Sequence, residues 1–155
     1  MIAFLGEYEV TLDAKGRFLF PAGFKKQLPE GGTNQFVITR GFDNCLALHP
    51  LHNWDSLNTN IANLNDFDPK VRVFQRLFLD GANYVDLDSA GRLNIPKNLM
   101  EHAGLQKDII LAARSKVIEI WDINKRKQFF ESIAPGSLSD IADEVMNKKV
   151  DWTKN

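Results

Sequence analysis

A sixteen-residue segment near the start of the chain recurs in its second half, and this internal repeat limits the possible folds more than any other feature. The segment from Gly6 to Pro21 aligns without a gap with the segment from Gly81 to Pro96. Seven of the sixteen aligned pairs are identical: Gly6/Gly81, Val10/Val85, Leu12/Leu87, Asp13/Asp88, Gly16/Gly91, Arg17/Arg92 and Pro21/Pro96. Chance is a poor explanation for this match, so the sequence predicts two similar folded units.

The first half of each repeat predicts two strands joined by a tight turn and followed by a short helix. In the first copy, Tyr8, Val10 and Leu12 alternate with polar residues, which is typical of a half-buried strand. Asp13 and Gly16 are turn residues, and a positive φ at Gly16 would close a hairpin between this strand and residues 17–20. Pro21 then fits the first turn of a helix over residues 22–28.

The second half of each repeat predicts two more strands, so the order in each unit is strand, strand, helix, strand, strand. The predicted strands are 36–40 and 45–48 in the first copy and 110–114 and 117–120 in the second. The predicted fold class is therefore α+β, with two tandem β-β-α-β-β repeats plus connecting and C-terminal helices.

Apolar residues at helical spacing predict a connector between the repeats and a helical tail after them. Trp54, Leu57, Ile61 and Leu64 indicate one connector helix, and Asp68-Pro69 is a helix-start signal for a second. Helices are also predicted over 125–133 and from Pro135 onward. The predicted organisation is 1–53 first repeat, 54–79 helical connector, 80–125 second repeat and 126–155 helical tail.

Composition places the chain among ordinary globular proteins. It has 155 residues, of which 44% are hydrophobic and 25% charged. Two units of about 70 residues would each be marginally stable alone, so mutual burial between the copies is expected. We expect no secretion signal and no membrane association, because no stretch approaches the roughly 20 apolar residues of a membrane span. A cytoplasmic location fits best, since the single cysteine, Cys45, excludes an intrachain disulfide.

Sites for catalysis or metal binding are not expected. His49 and His52 are three residues apart, but the intervening proline and the lack of a clear third ligand argue against a metal site. Cys45 lies in a predicted apolar strand and fits the core better than a nucleophile. Helix capping explains Asp68 better than acid–base chemistry. The sequence therefore predicts no enzyme, no catalytic residue, no metal or other cofactor, and no small-molecule substrate.

The paired stretches Asp13-Ala-Lys-Gly-Arg17 and Asp88-Ser-Ala-Gly-Arg92 carry a resemblance to a known family. With a proline-containing helix start after each D-x-x-x-R loop, the chain resembles the MraZ family and, more widely, the AbrB/SpoVT/MazE group of swapped-hairpin barrels. The resemblance covers about residues 1–133. It implies that the two AbrB-like repeats complete one interlaced barrel, of double-psi or swapped-hairpin type, within a single chain.

The resemblance also implies a function. MraZ proteins form closed homo-oligomeric rings, and they bind short direct repeats upstream of the division and cell-wall gene cluster, usually including their own gene. The D-x-x-x-R loops are taken as the elements that contact double-stranded DNA. A DNA-binding regulator that associates with the nucleoid is therefore expected.

The candidate DNA-binding residues follow from these loops. Arg17 and Lys15 lie at the first turn, where Asp13 would hold the turn and orient Arg17. Arg92 and Asp88 are their counterparts, but Ser89 and Ala90 leave the second loop without a second cation. We therefore expect the first loop to carry most of the affinity. Lys25 and Lys26, on the following helix, are candidates for phosphate contacts.

Two simpler readings compete with this one. Each Asp–Arg pair could serve only as a surface salt bridge that closes a turn, and Lys25 and Lys26 could lie on a solvated helix face. The net charge of −1 also argues against general affinity for nucleic acid. The alternative function is an antitoxin-like interaction module, in which the same barrel docks a protein partner.

Overall fold

The computed structural model describes residues 2–30 and 34–147, and this part of the chain contains eight strands and six helices. The elements are β1 (Glu7–Thr11), β2 (Arg17–Leu19), α1 (Ala22–Lys25), β3 (Gln35–Arg40), β4 (Leu46–Pro50), α2 (Leu51–Ala62), α3 (Pro69–Leu79), β5 (Asn83–Asp86), β6 (Arg92–Asn94), α4 (Lys97–Ala103), β7 (Asp108–Arg114), β8 (Val117–Asp122), α5 (Ile123–Glu131) and α6 (Ser137–Asn147). The mixed α+β class and the tandem order of elements agree with the prediction.

The chain divides into two compact units, Met1–Ile123 and Asn124–Asn155. The first unit holds all eight strands and the helices α1 to α4, whereas the second holds α6 and nearly all of α5. None of the helices in the described ranges has both the length and the apolar character needed to cross a lipid bilayer.

Strands of the two repeats pair with each other in antiparallel sheets. A six-stranded sheet has the order β1-β7-β8-β4-β3-β5, and β2 pairs with β6 in a separate two-stranded ribbon. In the large sheet Val10 of β1 lies opposite Ile109 of β7, and Val85 of β5 lies opposite Phe36 of β3. Each repeat therefore contributes its first strand to the third strand of the other.

This pairing corrects the predicted hairpin between β1 and β2. A tight turn does join them, but their ladders run to different partners, β7 and β6. The ribbon explains the difference, because Phe18 of β2 lies opposite Leu93 of β6 and both side chains are buried. Burying an aromatic or leucine side chain is worth about 1.5–3 kcal/mol, so the exchange removes apolar surface of both repeats from water at once.

The main core draws on both repeats. Phe18, Phe24, Leu93 and Leu99 are all almost completely buried in one cluster. A second cluster forms between α2, α3 and β3, where Trp54, Ile61 and Phe78 surround Val37. Residues at equivalent positions of the two repeats are thus buried in one shared core, as expected for units too small to be stable alone.

The helix boundaries differ from the predictions by a few residues. Helix α1 ends at Lys25 rather than Leu28, with Pro21 just before it at φ −60°. Helix α2 begins at Leu51 rather than Trp54, directly after Pro50. The predicted cap of α3 is confirmed, since Asp68 Oδ1 accepts a 2.9 Å hydrogen bond from the Lys70 backbone N–H. Part of the predicted loop (31–33) and the end of the predicted tail (148–155) lie outside the described residues.

Candidate nucleic-acid interface

The first D-x-x-x-R loop is held closed by a network of short hydrogen bonds. The Asp13 N–H donates to the Arg17 carbonyl (2.8 Å), and the Gly16 N–H donates to the Asp13 carbonyl (3.0 Å). Asp13 Oδ1 accepts from the backbone N–H groups of Lys15 and Arg17, both at 2.9 Å. Its other oxygen, Oδ2, accepts from Arg17 Nε at 2.8 Å. One carboxylate therefore fixes both the turn and the guanidinium.

The second loop has the same geometry with the same atoms. The backbone N–H groups of Ala90 and Arg92 donate to Asp88 Oδ1, at 2.9 and 2.8 Å. Arg92 Nε donates to Asp88 Oδ2 at 3.0 Å. The sequence repeat is therefore reproduced at the level of individual hydrogen bonds.

The hydrogen bonds of each loop favour the ionised form of its aspartate, and the ionised carboxylate holds the arginine in place. The backbone hydrogen bond from Arg17 is the largest cause that lowers the pKa of Asp13 below its usual value, and the Arg17 side chain and the Lys15 backbone lower it further. The pKa of Asp88 is lowered in the same way, with the Arg92 backbone hydrogen bond as the largest cause.

The aspartates occupy only the Nε edge of each guanidinium. The terminal Nη atoms of Arg17 and Arg92 donate no hydrogen bond within residues 2–30 and 34–147. Neither side chain is buried, with exposures of 25% for Arg17 and 38% for Arg92. Each salt bridge therefore closes its turn and still leaves the Nη edge of the arginine available. A role in holding the turn does not exclude a role in binding a ligand.

The β2–β6 ribbon brings the two loops together. The Ile95 N–H donates to the Gly16 carbonyl and the Phe20 N–H donates to the Gly91 carbonyl, both at 3.0 Å. In the ladder, Arg17 lies opposite Asn94 and Leu19 lies opposite Arg92. The two arginines are thus diagonal neighbours, with Cα atoms roughly 7–8 Å apart in a regular antiparallel pair.

One face of this ribbon points outward. Phe18 and Leu93 point into the core, so the alternation of a strand places Arg17, Leu19, Arg92 and Asn94 on the other side. Leu19 is 62% exposed there. The two strands contribute equivalent positions of the repeat to this face, since Arg17 aligns with Arg92 and Leu19 aligns with Asn94.

The groove beside the first loop contains a cation that the sequence analysis did not single out. A groove of about 710 Å³ is lined by Lys15, Tyr84, Asn94 and Lys97, among others. Lys97 begins α4 directly after Pro96, at the place in the second repeat that Ala22 occupies in the first. The crossing of strands between repeats puts Lys97 beside the first loop, and no local pattern signals this.

The structure places Lys25 beside the second loop rather than behind its own. Lys25 lines a groove of about 750 Å³ together with Ala90 and Gly91. Lys26 is exposed at the end of α1. The first groove therefore holds Lys15 and Lys97, whereas Lys25 is the lysine that lines the second.

The structure also places the histidines and the cysteine that the sequence analysis considered for metal binding or catalysis. His49 is buried in β4 and His52 is exposed on α2. Cys45 is fully buried, and burial raises the pKa of its thiol to about 12. Among the described residues, no group of three or more His, Cys, Asp or Glu side chains is placed to hold a metal ion.

Comparison with known proteins places these loops in a family. The family described as "MraZ protein, putative antitoxin-like" matches twice, at residues 3–77 and 78–149. The chain is 42% identical over 147 residues to the transcriptional regulator MraZ of Christiangramia forsetii, covering 94% of both chains. It is 44% identical to the transcriptional regulator MraZ of Cytophaga hutchinsonii, in a match that covers 81% of this chain and 83% of the relative. It is 40% identical to that of Natranaerobius thermophilus, with coverage of 93% and 97%.

The two family matches divide the chain between residues 77 and 78, in the last turn of α3, close to where the sequence repeat divides it. These two matches cover most of the chain, and the relatives named above are 42% and 44% identical to it over most of its length. The chain therefore belongs to the MraZ family.

Proposed function

We propose that the chain regulates transcription by binding double-stranded DNA through the outward face of the β2–β6 ribbon, with Arg17 and Arg92 as the principal contacts. The observation that supports this is the paired geometry in which each arginine is held at Nε by its own aspartate while its Nη atoms have no partner among the described residues. A guanidinium oriented in this way can bond bidentately to guanine or phosphate. The relatives are themselves named transcriptional regulators.

The ribbon has a suitable shape for this role. A two-stranded antiparallel ribbon fits the major groove, and its outward side chains then face the base edges. Asp13 and Asp88 serve as positioning residues in this proposal, because both oxygens of each carboxylate are already engaged by the loop. Their charges are offset by the arginines that they hold.

We propose that the first loop carries most of the affinity. Lys15 and Lys97 share its groove, and two ammonium groups at one site favour phosphate. The second loop has Ser89 and Ala90 instead, and Lys25 supplies a cation in its groove. Lys26, which is exposed beside Lys25, would contribute a weaker backbone contact.

Assembly would compensate for the low overall charge. With a net charge of −1, a single chain has little general attraction for DNA. A closed homo-oligomeric ring would present many ribbons to short direct repeats, and linked contacts raise affinity without new chemistry. We propose this arrangement at the protein's own promoter, upstream of a division and cell-wall gene cluster, for a cytoplasmic, nucleoid-associated protein. The exchange of strands between repeats supports a swapped-hairpin barrel as the unit of that ring.

The decisive experiment measures binding of a labelled duplex from upstream of the protein's own gene by fluorescence anisotropy. The double variant Lys15→Ala/Arg17→Ala should weaken binding by at least about tenfold. Lys70→Ala/Arg76→Ala removes the same charge from exposed positions on α3 and is the matched control. Equal losses in the two variants, or unchanged binding in the loop variant, would refute the loop assignment. Light scattering with and without the duplex tests the ring.

A protein-docking function is the second candidate, and the surface of α6 is the observation that favours it. Leu138, Ile141 and Val145 follow a helical spacing and are at least half exposed. An antitoxin-like module would use such a face to bind a protein partner. A stoichiometric partner lost on Ile141→Asp, together with no salt-sensitive DNA binding, would favour this candidate over the first.

A further inference from the structure

A cavity of about 270 Å³ lies between α2, α3 and the large sheet, away from the ribbon. Its apolar wall includes Leu57 and Ile61 of α2 and Phe74 and Phe78 of α3. The largely exposed ring of Phe42 lines one side and lies parallel to Phe74 (interplanar angle 1°, centroids 6.4 Å apart). A flat apolar group would fit against such rings better than a branched one.

Three cations border this apolar space: Arg40, Arg114 and Lys116. No aspartate or glutamate lines it in the part of the chain that the structure describes. Arg40 and Arg114 form ion pairs through one edge each, with Asp80 and Glu119. Neither acid is among the lining residues, so the charged side chains that line the cavity are all cations.

Two of the cations have unused hydrogen-bonding capacity. Arg40 Nε is buried and has no partner among the described residues. The Lys116 ammonium has no ion pair within residues 2–30 and 34–147. The buried Arg40 Nε costs stability as a donor without a partner, whereas the exposed Lys116 ammonium can pair with an anionic ligand without giving up another ion pair.

His49 contributes an acceptor rather than a charge. The Thr39 hydroxyl donates to the Arg40 carbonyl, so its oxygen accepts from His49 Nε2–H at 3.0 Å. Nδ1 is then an acceptor with no partner in the described ranges. Burial, and then the charge of Arg114, lowers the pKa of His49 to about 4, so the ring is neutral at physiological pH.

We propose that this cavity is a binding site for a small aromatic carboxylate. The ring would lie against the phenylalanines and the carboxylate would face Arg114 and Lys116. The volume is just below the roughly 300–1,000 Å³ of common ligand sites, which suits one or two rings. This site is separate from the ribbon and does not depend on how DNA is bound.

Calorimetric titration with naphthalene-2-carboxylate and the neutral naphthalene-2-carboxamide tests the proposal. The carboxylate should bind at one site per chain, about tenfold more tightly than the amide. Lys116→Ala and Arg114→Ala should each weaken binding of the carboxylate about threefold, because the two cations share the tenfold advantage, and should leave the amide unchanged. Lys107→Ala, an exposed lysine at the opposite end of β7 from Arg114, is the control and should change neither. Ser56→Trp, which places a bulky ring among the lining residues, should abolish both.

Three results would overturn the proposal: no saturable binding, equal affinity for acid and amide, or equal losses in Lys116→Ala and Lys107→Ala. Light scattering on Ser56→Trp measures the number of subunits and tests whether a side chain of a second copy, rather than a small ligand, occupies the cavity. If that variant loses subunits while the wild type binds neither probe, a side chain of a second copy fills the cavity and the ligand proposal is wrong. Circular dichroism melts confirm that each variant is folded.

Discussion

The two turn glycines form a matched pair on which the loop geometry can be tested. Gly16 has φ +78° and Gly91 has φ +80°, so both lie in the left-handed region that a residue with a Cβ rarely adopts. Alanine at either position should lose about 1–2 kcal/mol of unfolding free energy through backbone strain alone.

The surroundings of the two glycines differ, and this sets the expected difference between the variants. A Cβ at position 16 would lie 2.9 Å from Met100 Sδ, whereas the nearest atom to a Cβ at position 91 is Leu19 Cδ1 at 3.7 Å. Met100 is flexible, so moving its sulfur should add only about 0.5–1.5 kcal/mol. Gly91→Ala should therefore cost about 1–2 kcal/mol, and Gly16→Ala about 1.5–3.5 kcal/mol.

Urea denaturation followed by circular dichroism measures both values, and unchanged m-values would show that the comparison is valid. The extra loss in Gly16→Ala should disappear in a Met100→Ala background, where the clash is removed. A domain of ordinary stability tolerates these losses and stays folded. If Gly91→Ala were as stable as the wild type, the backbone argument would be wrong. If the extra loss at position 16 survived without Met100, the steric argument would be wrong.

Three further predictions concern the ribbon and its loops. Arg17→Lys keeps the charge but loses the planar fork, so affinity for an operator should fall by about 1–3 kcal/mol with an unchanged salt slope in anisotropy titrations. The lowered pKa of Asp13 and Asp88 means that their contribution to stability is present above pH about 4 and is lost as the pH falls through their folded-state values. Replacing both with Asn should therefore destabilise the chain at pH 7 more than at pH 3 in urea melts. Phe18→Ala, which leaves a cavity opposite Leu93, should cost about 3–5 kcal/mol in the same assay, and a loss below 1 kcal/mol would contradict the shared core.

Local patterns were sufficient for much of the fold and of the candidate site. The repeat, the turn chemistry of Asp13 and Gly16, and the cap at Asp68 are all short-range features, because the interacting groups are within a few residues of each other. The burial of Cys45 also followed from the apolar run that it begins, although β4 itself starts one residue later, at Leu46. For these features the sequence contains both partners of the interaction in one place.

Strand partners and the composition of the grooves required the tertiary structure. Alternation with a period of two assigns a strand's inner face but not its neighbour, since a backbone ladder forms equally well with any partner strand. Only the joint burial of both repeats selects β7 for β1 and β6 for β2, and this choice brings Lys97 to the first loop and Lys25 to the second.

The sequence by itself therefore determined two loops of the same D-x-x-x-R pattern, each with an arginine that an aspartate can hold. The tertiary structure decided that both arginines share one outward face, and that Arg40, Arg114 and Lys116 meet beside an apolar cavity. The reason is physical: each aspartate holds its arginine through hydrogen bonds across four residues, whereas the face and the cavity depend on contacts between residues that are far apart in the sequence.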